Sequence, residues 1–167
     1  PERRLSGTKG QGLATFRELI GNLATKTSPE GGALIQIIAR WLVFLQNDII
    51  KNTDILPDTP QFSAKMKEKI LEITTSLEDI VCGFDFANVI NIYYNAYVTG
   101  DDDKKSLTLK WLRGEYTTKT EARKDLGVTS IIDDMNWYDF IKLYAVFIRK
   151  IGYKGLVIFI DECVNLY

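Results

Sequence analysis

The chain has 167 residues, 46% of them apolar, with 21 basic side chains against 22 acidic ones. That length carries one domain with a buried core, and the charge balance provides no global field toward nucleic acid or a membrane surface. Histidine is absent, which excludes Ser-His and Cys-His nucleophile pairs, most zinc sites and the commonest general base.

Leu13, Phe16, Leu19, Ile20 and Leu23 recur at three- and four-residue steps and predict an amphipathic helix over about 11–24. Pro29-Glu30-Gly31-Gly32 breaks the chain. From Ala33 to Ile50 the apolar residues surround nearly the whole helix, Val43 and Phe44 included, which predicts a central core helix. Gln36, Arg40, Gln46, Asn47 and Asp48 interrupt it too often for a membrane span. After a turn at 56–60, a third helix carries Phe62, Met66, Ile70, Ile73, Leu77 and Ile80, with Gly83 as its expected end and Lys65, Lys67 and Lys69 as a solvated face.

A fourth helix is predicted over about 85–98. Its Tyr93, Tyr94 and Tyr97 read as core side chains with polar tips rather than base-stacking platforms, because no basic groove accompanies them. Residues 100–105 read as a charged, solvated turn without the spacing of a calcium loop, and Ser106 as the cap of a short helix through Trp111. Thr118 and Glu121 have capping-box spacing ahead of a short helix that stops at Gly127. Asp133 or Asp134 is expected to cap a long helix through Trp137, Phe140, Ile141, Tyr144, Phe147, Ile148 and Ile151, ended by Gly152.

The chemistry sits at the end. Gly155-Leu-Val-Ile-Phe-Ile-Asp161-Glu162 is an unbroken apolar run closed by two carboxylates, which reads as a strand buried on both faces in a parallel sheet. Ligands of such sheets bind beyond the carboxyl ends of the strands. This is the pattern of a Walker B element, with Asp161 holding Mg²⁺ and Glu162 orienting the attacking water. A capped strand end with no chemistry is the alternative. No GxxxxGK[ST] phosphate loop occurs in these residues.

Arg113 before Gly114 reads either as part of an exposed turn or as a contact to phosphate or a neighbouring subunit. Arg3 and Arg4 are likewise an anion contact or a solvated terminus. Cys82 and Cys163 read as reduced, buried thiols in a cytoplasmic protein. The N-terminus lacks the apolar stretch of a secretory leader. A start at Pro1 and a stop soon after Glu162 suggest a segment of a longer chain.

Several blocks in order, among them Pro1-Glu-Arg-Arg-Leu5, Phe16-Arg-Glu-Leu19, Trp111-Leu-Arg-Gly-Glu115, Ala122-Arg-Lys-Asp-Leu-Gly127, Asn136-Trp-Tyr-Asp139 and Asp161-Glu-Cys-Val-Asn-Leu166, resemble one bacterial family. It is the P-loop ATP-binding proteins associated with BREX phage-defence clusters. The resemblance implies a mainly α fold, the helical insertion of an AAA-like α/β ATPase, ending in one buried Walker B-type strand. It implies a single domain over 1–167, helical over 1–152, with the strand and its acidic edge over 153–167. The phosphate-loop segment would precede Pro1 and the sensor elements would follow Tyr167.

Mg²⁺ and ATP would then belong to the intact parent, with none expected in this segment alone, which would neither bind nor hydrolyse ATP detectably. The expected partners are the rest of the parent chain, defence-complex proteins and, through the apolar strand edge, a second copy. Neither nucleic acid nor a membrane is indicated. A helical protein–protein interaction domain without nucleotide chemistry is the competing reading.

Overall fold

The apolar periodicities resolve into seven helices among residues 10–159, the part of the chain that the computed structural model describes. They are α1 (Gln11–Gly21), α2 (Leu34–Asn52), α3 (Pro60–Glu78), α4 (Gly83–Thr99), α5 (Asp102–Leu112), α6 (Lys119–Leu126) and α7 (Trp137–Lys150). No strand forms among the described residues, so the fold there is mainly α. No helix among them is long and apolar enough to cross a membrane.

Local chemistry sets most boundaries. Thr59 caps α3 by accepting from the Phe62 amide, with Pro60 in the first turn, where its missing N–H costs nothing. Thr118 caps α6 by accepting from the Glu121 amide, and Gly127 closes that helix at φ 70, as its spacing predicts.

Three boundaries and one buried face differ from the sequence reading. Residues 102–105 are not a solvated turn but the first turn of α5. Asp101 caps it by accepting from the Lys104 amide, and Asp102 and Asp103 sit where the helix dipole favours acids, so Ser106 lies inside the helix. Gly83 does not end α3; it opens α4. The intervening turn places Cys82 at φ 66, and a Cβ on Gly83 would stand 1.7 Å from the Leu77 carbonyl oxygen. Neither Asp133 nor Asp134 is the N-cap of α7, which is Asn136. Asp134 instead accepts from the amides of Gly10 and Leu13 and so serves the orphan donors of α1, a long-range cap that local spacing cannot reveal. Finally, α2 is apolar nearly all round but buried on one face only, leaving Val43 and Phe44 exposed, the latter by 64%.

α7 is the hub. Its Phe140 packs edge-on against Phe16 of α1 and Trp111 of α5. Its Phe147 meets Trp41 of α2 and Phe86 of α4, with centroids 5.4 and 5.2 Å apart. Tyr144 joins Phe16 and Phe86. Such pairs add about 0.5–1.5 kcal/mol each beyond the area that they bury, so four helices are keyed to one. Tyr93 and Tyr94 are buried as expected, whereas Tyr97 is partly exposed. α3, α4 and α5 follow one another as packed neighbours, and α6 closes on α5.

Candidate functional site

Gly152 at φ 103 turns the chain after α7, and the Tyr153 amide returns to the Ile148 carbonyl. Residues 155–159 then line one wall of a cavity of about 570 Å³ whose other walls include Leu19, Ile37, Ile141, Tyr144 and Ile148. Residues 155–159 therefore border the same space as Ile141 and Ile148 of α7.

The expected buried strand is not formed in the described part. Leu156 packs on the core, but Val157 is 73% and Phe159 91% exposed, and residues 154–159 make no backbone hydrogen bond among the described residues. A strand is buried on both faces only when strands and helices flank it. The described residues supply helices and a lone bridge between Thr25 and Ser28. Asp161, Glu162, Cys163, Arg3 and Arg4 lie outside the described residues. Among those described, no group of three Cys, Asp or Glu side chains could hold a metal ion.

Arg113 lies in the turn after α5. Gly114 follows at φ 70, so close to α1 that a Cβ would come within 3.3 Å of Leu13 and Phe16 carbons. Arg17 of α1 donates from Nε to the Gly114 carbonyl at 2.7 Å. The Arg17 guanidinium thus reaches the turn that carries Arg113. The sequence reading singled out Arg113 but missed Arg17, which sits mid-helix among solvated positions and gives no local signal.

Tyr144 links this turn to the cavity. It is fully buried, and its hydroxyl donates to the Leu112 carbonyl at 2.7 Å. Burial pushes its ionisation far up, while the positive charge of Arg113 works against that shift. Asp85, read from sequence only as a helix start, is 6% exposed. It accepts from the amides and hydroxyls of both Thr129 and Ser130 and pins the loop between α6 and α7. Cys82 is only partly buried, not the fully buried thiol expected. Desolvation, and then the carboxylates of Asp139, Asp85 and Asp133, push its pKa up, which makes it a poor nucleophile.

No curated protein and no solved structure matches the chain. The sequence profile of one family, described as BREX system ATP-binding protein BrxC/D, matches residues 1–167. With the match spanning every residue, the chain belongs to the BrxC/D family of BREX system ATP-binding proteins.

Proposed function

We propose that this region supplies the acidic edge of an ATPase site in a phage-defence system. Asp161 would be the carboxylate for Mg²⁺, and Glu162 the carboxylate that orients water. The observation that carries this reading is the apolar segment after α7, which lines a cavity together with that helix and leads directly into Asp161-Glu162 in sequence. Its exposed Val157 and Phe159 suit a segment that is completed by neighbouring strands.

The donor chemistry fits the group. A lone carboxylate is a hard oxygen ligand of the kind Mg²⁺ takes while keeping most of its waters. When bound, Mg²⁺ neutralises charge developing on the transferred phosphoryl group. Glu162, the next residue, would leave the chain in a different direction. Ionised, it would accept a hydrogen bond from a water and hold it for attack. Neither carboxylate can cradle a triphosphate. The backbone amides and lysine of a phosphate loop must come from outside these residues, and the region alone is expected to turn over no ATP.

The test is Mg-ATP hydrolysis by the full-length protein beside Glu162→Gln and Asp161→Asn. Collapse of turnover in Glu162→Gln with nucleotide binding retained supports the assignment. The second reading, a helical interaction domain, draws on exposed apolar side chains such as Phe44 and Phe84. It expects both variants to match the parent protein.

A further inference from the structure

We propose that Arg17 and Arg113 form a two-guanidinium site for a pyrophosphate-class anion, and that the terminal phosphates of a nucleotide occupy it. The second part rests on the ATPase reading above. Of the five described arginines, 17, 40, 123 and 149 are exposed and Arg113 alone is partly buried. A cation withdrawn from water is ordinarily paired, because desolvation without a partner is unfavourable. Arg113 makes no side-chain hydrogen bond and no ion pair among the described residues.

The second cation is held at the same turn. The Nε bond of Arg17 to the Gly114 carbonyl spends one donor and leaves the two terminal nitrogens of the fork free. The turn cannot drift, since α1 presses on Gly114 from Leu13 and Phe16. The nearest acids in sequence do not neutralise the pair. Glu18 accepts from the Asn22 amide, and Glu115 is exposed without an ion pair to either arginine. Two like charges brought to one turn, neutralised by neither Glu18 nor Glu115, favour an external anion, and planar forks match phosphate oxygens best.

Position supplies the link to the nucleotide. Tyr144 bonds the carbonyl of Leu112, immediately before Arg113, and also lines the cavity walled by residues 155–159. Tyr144 therefore joins the arginine turn to the cavity that the segment leading toward Asp161-Glu162 lines.

The first arm follows the arginine Nε–Hε NMR signals of the 167-residue chain during titration with pyrophosphate. The expected result is a saturable shift of the Arg17 and Arg113 signals, with half-saturation in the millimolar range. Arg40, Arg123 and Arg149 should show only the drift of rising ionic strength. Arg113→Ala and Arg17→Ala should each weaken the response at the remaining arginine at least fivefold, with the far-UV spectrum unchanged. Arg113→Lys, which keeps the charge but loses the fork, should not restore it. If all five arginines drift alike, the site is refuted.

The second arm measures hydrolysis and ATP-over-ADP preference in the full-length protein. Loss of that preference in Arg113→Ala supports the nucleotide as occupant. If Glu162→Gln abolishes hydrolysis while Arg113→Ala changes neither quantity, this inference falls and the ATPase reading stands. A pyrophosphate response with hydrolysis insensitive to Glu162→Gln removes the ATPase reading and the nucleotide, and leaves the anion site.

Discussion

At the scale of single residues, the fold depends on a few positions whose neighbours leave no alternative. Asp85 is buried and holds four donors of Thr129 and Ser130. Replacing it with alanine strands those donors, so Asp85→Ala should lower stability by about 2–4 kcal/mol in urea unfolding. A loss below about 1 kcal/mol would show that the 128–132 loop is held by its packing instead. Gly114→Ala should cost about 1–3 kcal/mol, because it combines a left-handed backbone with Cβ contacts of 3.2–3.3 Å to Leu13 and Phe16. Of these features, the sequence shows only residue types. Asp85 and the Thr129-Ser130 pair lie 44–45 positions apart, and nothing local joins them. Arg17 and Gly114 are separated by 97 positions.

At the scale of elements, what was legible is what local physics decides. Helices α1, α2, α3, α4 and α7 are legible in apolar spacing, and α6 in the Thr118 hydroxyl and the following Glu121. Thr118→Ala should therefore destabilise by about 1 kcal/mol. A helical signal unchanged in thermal melts would mean that packing on α5 alone holds α6. The failures are also physical. A run of acids reads as a solvated turn or as a helix start, depending on whether one of them finds an amide, as Asp101 does. An all-round apolar helix reads as central, yet α2 keeps Phe44 in solvent among the described residues. The extended segment 155–159 could be read from its apolar run, but whether a strand is buried depends on partners that its own residues do not encode. The acidic edge was legible only as a motif, because Asp161 and Glu162 lie outside the described residues.

At the scale of the molecule, everything converges on α7, whose aromatic side chains contact α1, α2, α4 and α5. Buried tyrosines in and around this core make an alkaline limit to stability. Burial raises the ionisation of Tyr144 and Tyr116 far above the ordinary phenol range, and for Tyr116 the bond to Asp125 adds to it. Both native and unfolded states hold these protons below about pH 10, so stability there is unaffected by them. Above it the unfolded chain ionises first, and each such tyrosine should lower stability by about 1.4 kcal/mol per pH unit. Urea midpoints between pH 9 and 11 should fall, and Tyr116→Phe should make the fall shallower by one such increment. An unchanged slope would show that the Tyr116 hydroxyl ionises in the native state.

The proposed chemistry rests on Asp161 and Glu162, the carboxylates that follow the apolar segment in sequence. The most direct measurement is the rate of Mg-ATP hydrolysis by the full-length protein beside its Glu162→Gln variant, with nucleotide binding measured on both. The expected result is a loss of turnover of at least a hundredfold, at the lower end of what a positioned carboxylate contributes, with binding retained. Equal turnover in the two proteins would contradict it, and would reduce Asp161-Glu162 to the acidic end of an apolar segment in a helical interaction domain.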